Sequence, residues 1–184
     1  MQTPTFSLYW ALIIYGALLG LIYVFPKTRQ LYKKAFDFSV LKKFPTYLLI
    51  LTAFLTIFFA NLVIFKRHLS STFNLLTSNY SQTLFLDTFE LISLLVGKLI
   101  IAPVFEELMF RVPLSIWMNR RFYFILALLG SSIIFGMMHS EYPLFGVILG
   151  IVFGSVYGLT KSIVPGILVH FLWNLFSLYY FNYI

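Results

Sequence analysis

Among the polar side chains of the largely apolar second half of the chain, six have types and spacing that could do chemistry: Glu106, Glu107 and Arg111, then His139, then His170 and Asn174. Glu107 and Arg111 stand one helical turn apart in the favourable acid-first order, so they read as a pair. Glu106, about 100° around the helix, is left without a local partner and cannot aim at the same point. A carboxylate without a partner in apolar surroundings must take up a proton, meet water or bind a metal, and each condition suits a general base. His170 and Asn174 are also one turn apart and present an imidazole beside an amide. Taken singly, His139 reads as an interfacial histidine and the His170–Asn174 pair as helix-to-helix hydrogen bonding. Taken together, a glutamate, two imidazoles and an amide can hold and activate a water. Glu106, His139 and His170 could do so around zinc or another divalent metal, or without one.

Other hydrolytic chemistries lack their residues. The chain has no cysteine, which removes thiolate nucleophiles, thiolate metal sites and disulfides. No H-E-x-x-H run occurs, and Ser131, Ser132, Ser155 and Ser162 have no G-x-S-x-G setting.

The elements that must carry these residues are membrane helices. The chain is 60% hydrophobic and only 10% charged, with mean hydropathy +0.91, far from the composition of a soluble domain. The net charge of +7 sits between the apolar segments, as loops facing anionic headgroups require, so nucleic acid is not an expected partner. The sequence predicts an all-α polytopic transmembrane bundle of about six spans: Phe6 to Phe25, Phe44 to Phe65, one between Thr83 and Met118, Phe122 to Met138, Leu144 to Leu159 and Ile163 to Phe181. The first of these is expected to be retained and not cleaved as a leader. Leu69 to Gln82 reads as a loop, and Lys27 to Lys43 as a basic loop or interfacial helix. Asn61 is expected to make an interhelix hydrogen bond. The third apolar stretch is too long for one upright span, so a strongly tilted or broken helix is expected, with Pro103 the natural break.

Gly146, Gly150, Gly154 and Gly158 fall on one helical face and predict close packing, expected within the chain. The positive-inside rule places Lys27 to Lys43, Arg120, Arg121 and Lys161 on the inner side and both termini outside. One membrane domain, residues 1–184, is expected. Counting helix rise from the inner edge puts His170 at about 13 Å, Glu106 at about 16 Å and His139 at about 24 Å, so their expected convergence calls for a tilted third span, a break at Pro103 or a fourth span that starts deeper than Phe122.

Glu106-Glu107-x-x-x-Arg111, Phe135-x-x-x-His139 and His170-x-x-x-Asn174, with Ala102-Pro103 before the acids and Ile163-Val164-Pro165-Gly166-Ile167 before His170, resemble the three-motif pattern of the CAAX protease and bacteriocin-processing (Abi) family of intramembrane glutamate proteases. The resemblance covers about residues 95–176. It implies a multi-pass protein of the cell membrane, of the compact bacterial kind, that cleaves a hydrophobic or lipid-anchored peptide or protein, as in bacteriocin maturation or self-immunity. By motif position, Glu106 and His139 would activate the water, His170 and Asn174 would stabilise the oxyanion, and Glu107 with Arg111 would support the site. Members usually carry Gly after the arginine, where this chain has Val112. The competing expectation is a nonenzymatic membrane immunity or scaffold protein that binds a bacteriocin or membrane partner and uses the polar cluster as structural glue.

Overall fold

The computed structural model describes residues 4–66, 88–139 and 141–181. Leu69 to Gln82, and with it Arg67, His68, Asp87 and Ser140, lies outside the described residues. Eight α-helices are described: α1 (Pro4–Val24), α2 (Pro26–Ala35), α3 (Phe44–Ile64), α4 (Thr88–Val96), α5 (Ala102–Phe110), α6 (Arg121–Met138), α7 (Pro143–Thr160) and α8 (Val164–Phe181). Short 3-10 turns cover Phe38–Lys42 and Val112–Trp117, and a π turn covers Gly97–Ile101. Each of the seven prolines is the first or second residue of a helix or 3-10 turn, where its fixed φ suits the first turn.

Three helices, α3, α6 and α7, are long and apolar enough to cross a membrane, and Ile13–Val24 and Val164–Leu178 are shorter apolar helices. Their outer faces expose Leu51, Phe59, Leu126, Ile134 and other large apolar side chains, as lipid-facing surfaces do. Two buried clusters fill the interior. One gathers Ile57, Phe110, Phe135, Phe153, Val169 and Trp173 from α3, α5, α6, α7 and α8. The other gathers Tyr32, Leu108, Val112, Leu128, Tyr157 and Ile163 at the end carrying the basic residues. Val112 is fully buried in that second cluster and has ordinary negative φ, so the side chain in place of glycine serves packing. The basic segment is tied down there: Ile163 N–H donates to Ala35 O (2.9 Å) and Ser162 Oγ to Asp37 O (2.9 Å).

The glycine stripe packs within the chain, in register on α6. A Cβ on Gly146 would meet Gly136 Cα at 2.8 Å, one on Gly150 would meet Ser132 Cα at 2.7 Å, one on Gly154 would meet the Leu128 side chain, and one on Gly158 would meet Phe124 Cζ at 2.7 Å. The two antiparallel helices thus step past each other four residues at a time, the approach that small residues permit where water provides no hydrophobic drive. Gly150→Val therefore forces two backbones apart. A loss of about 1–3 kcal/mol is expected, read as a lowered melting temperature in detergent, while Gly130→Ala, which meets nothing within 4 Å, leaves melting unchanged.

The expected break at Pro103 takes the form of a proline-associated bend and not of a gap. Backbone torsions stay helical through Val96, Ile101 and Ala102, and the proline is accommodated by a change of register, the π turn just before it. The α-helix then ends at Phe110 and not near Met118, and Val112–Trp117 continues as a 3-10 turn.

Candidate active site

α5 brings the acids to the centre of the bundle, and α8 brings His170 between them. His170 Nε2 lies 3.7 Å from Glu106 Oε2, and its Nδ1 lies 3.6 Å from Glu107 Oε1. The two carboxylates, expected to address different points, therefore face the two nitrogens of one imidazole. A neutral ring can donate to only one of them at a time. Glu106 keeps 21% of its side chain exposed, whereas Glu107 is fully buried, so of the two acids Glu106 has the access to solvent that a water-handling group needs.

Glu107 Oε1 also pairs with Arg111 Nε at 3.4 Å, both side chains being fully buried. The guanidinium carbon lies 4.9 Å from the centre of the Phe135 ring, 5.8 Å from Phe110 and 5.9 Å from Phe153. Three aromatic faces and one carboxylate thus offset the desolvation of a buried cation. Phe153 also stacks on His170 (4.5 Å, 21° between planes), and Phe135 lies against His139 (4.6 Å). Gly166 on α8 leaves room for the buried acid, since a Cβ there would sit 2.8 Å from Glu107 Oε2.

His139 caps α6 by turning back on its own helix, with Nδ1 2.9 Å from Phe135 O. A carbonyl can only accept, so Nδ1 carries the proton in that bond and the neutral ring keeps its lone pair on Nε2. One cavity of about 100 Å³ is lined by Glu106, His139, His170 and Asn174 together, along with Lys98 and Tyr142. The four residues therefore share one chamber, although simple counting separates His139 by depth. Two local features shorten that separation. The 3-10 turn at Val112–Trp117 rises about 2.0 Å per residue and lifts Glu106 further from the inner edge. His139 folds back toward Phe135, one turn closer to it.

Asn174 Nδ2 donates to Lys98 O at 2.8 Å. The reason lies in the π turn. Ala102 N–H bonds Gly97 O, five residues back, so it is not available to Lys98 O; the next donor in that register would be residue 103, a proline. The amide on α8 thus supplies the donor that Pro103 lacks and ties the π turn to the site, leaving its second N–H hydrogen for other use. Asn174→Ala should destabilise the protein by about 1–3 kcal/mol in the Pro103 background and by much less in a Pro103→Ala background, where an N–H is restored. A four-protein thermal-melting cycle reads this coupling.

Lys98, Tyr142 and Asn61 were not singled out by spacing as site residues. In the sequence Lys98 is a single charge among apolar residues, and Asn61 an amide expected to be satisfied between helices. Asn61 is instead 1% exposed, and its Oδ1 has no hydrogen-bond partner among the described residues. It lines a second chamber with His139, His170 and Asn174.

Metal binding needs three or more converging donors in most protein sites. Among the described residues, no group of three or more His, Cys, Asp or Glu side chains is placed to hold a metal ion. Of Glu106, His139 and His170, the pair that meets is Glu106–His170.

A family model described as type II CAAX prenyl endopeptidase Rce1-like matches residues 88–176. No match was found among curated proteins or among solved structures. The matched stretch runs from the start of α4 into α8 and contains Glu106, Glu107, Arg111, His139, His170 and Asn174. Residues 88–176 are a CAAX protease domain of the Rce1-like family, with a buried His–Glu–Glu cluster at its centre.

Proposed function

We propose that the chain is an intramembrane endopeptidase that hydrolyses a peptide bond in a hydrophobic or lipid-anchored peptide or protein. The observation that carries this reading is His170 flanked by Glu106 and Glu107 beside a cavity that His139 and Asn174 also line. Glu106 takes a proton from a water, whose oxygen bonds to the scissile carbonyl carbon. His139 Nε2 holds that water in line. The carbonyl oxygen becomes an alkoxide, met by His170 and by the free hydrogen of the Asn174 amide. The carbon–nitrogen bond then breaks, and Glu106 returns the proton to the departing nitrogen. Glu107 and Arg111 hold His170 from behind.

Six spans are proposed: α1, α3, the Thr88–Phe110 run, α6, α7 and α8, with both termini outside and the basic segments inside a bacterial plasma membrane. Bonds from Ile163 and Ser162 to Ala35 and Asp37 support this grouping, because they gather α2 and the α7–α8 turn at one end of the bundle. Maturation of a bacteriocin or self-immunity against one are the roles proposed for such cleavage.

The test uses proteoliposomes of the purified chain in water enriched in ¹⁸O, with a set of farnesylated, acylated and unmodified transmembrane peptides. Hydrolysis puts ¹⁸O into one new carboxyl terminus, read by mass spectrometry. If no peptide gains a labelled terminus over the protein-free control, the reading fails.

A further inference from the structure

The buried amide of Asn61 belongs to α3, outside the matched residues 88–176, and no role follows for it from the family. Its residue is 1% exposed, and leaving a buried amide oxygen without a donor is costly enough that such groups are few in folded proteins. The residue does not stand alone: it lines a chamber of about 40 Å³ with His139, His170, Trp173, Asn174 and Ser177. That volume suits about one water molecule, which needs two to four polar partners. Asn61, His139, His170 and Asn174 are such partners, and three of them also line the larger cavity beside Glu106.

From this we infer that Asn61 is a positioning residue of the hydrolytic site: it holds a water in the small chamber against His139 and His170, feeding the position from which Glu106 takes a proton. The inference rests on the endopeptidase reading for the use of that water, but not for its binding. Oδ1 accepts one water hydrogen, which fixes the direction of the water's lone pairs. Leucine has nearly the same shape and can do neither task. Replacing a poorly partnered buried amide by leucine removes a desolvation cost, so Asn61→Leu should fold, and Asn61→Ser serves as a second variant with a hydroxyl in place of the amide.

Two measurements decide it. In X-ray radiolytic footprinting, a bound water generates hydroxyl radicals beside its neighbours, so Trp173, only 3% exposed, should be oxidised in the native protein and several-fold more slowly in Asn61→Leu. In steady-state hydrolysis of the fastest-cleaved peptide of the set above, Asn61→Leu should lower kcat on the order of 100-fold with KM little changed, and Asn61→Ser should recover part of that loss. Equal Trp173 oxidation in both proteins overturns the inference. So does an unchanged kcat, or an effect confined to KM, which would make Asn61 a substrate contact. If the native chain cleaves no peptide, the endopeptidase reading fails, and footprinting alone decides whether Asn61 holds water.

Discussion

Glu106→Gln is expected to lower kcat by about 1,000-fold or more, with the protein melting within a few degrees of the native chain. The two halves of this result follow from different observations. Glu106 is the one acid of the cluster with part of its side chain exposed, and it lines the larger cavity. Glutamine keeps the shape and can still accept from His170, so packing survives, but the amide cannot take a proton from water. His170→Ala is expected to cost activity on the same scale, because it removes the group that stands between both carboxylates. It should also cost stability, since it uncovers the stacked Phe153 face and leaves Glu107 with Arg111 as its partner. Glu106→Gln is therefore the cleaner of the two. Labelled-water hydrolysis in proteoliposomes, with melting in detergent, measures both effects. Native rates in Glu106→Gln would return the site to structural glue.

The chemistry was legible in the sequence where it depended on residue type and helical spacing. Glu107 and Arg111 meet as their one-turn separation requires, and the glycines at 146, 150, 154 and 158 pack on α6 in the register that their spacing sets. What spacing could not supply was the geometry between helices. The angle between Glu106 and Glu107 is fixed by α5, but a single imbalance-free answer to where both point needed the position of α8, and His170 is long enough to meet both. Counting overstates the separation in depth of His139 from Glu106 because a uniform α-helical rise ignores the 3-10 turn below Glu106 and a ring folded back on its own helix. Asn174 was readable as an amide near the chemistry, but its bond to Lys98 O depends on a register change that Pro103 makes necessary and that hydropathy does not encode. For Asn61 the sequence shows an amide in an apolar helix, but only packing reveals that α3 buries its Oδ1 without a donor among the described residues and presents it to a chamber.

Glu107→Gln is expected to destabilise the protein by about 3–5 kcal/mol, because it takes from a fully buried guanidinium the carboxylate paired with it. Arg111 is fully buried, and its surroundings are three aromatic rings that attract a cation but cannot neutralise it. Little folded protein should be recovered from membranes. The compensating change is Arg111→Met, which fills the aromatic cage with an apolar chain; Glu107→Gln with Arg111→Met should regain most of the lost stability, since replacing both members of a buried pair is far milder than orphaning one. Activity should not return with it. Glu107 Oε1 stands 3.6 Å from His170 Nδ1, and an amide there no longer holds the ring by charge while Nε2 faces Glu106. The double variant thus separates the two roles of one carboxylate: recovered melting with hydrolysis still reduced at least about 10-fold assigns Glu107 both to the fold and to His170. Recovery of stability and rate together would confine it to the pairing with Arg111.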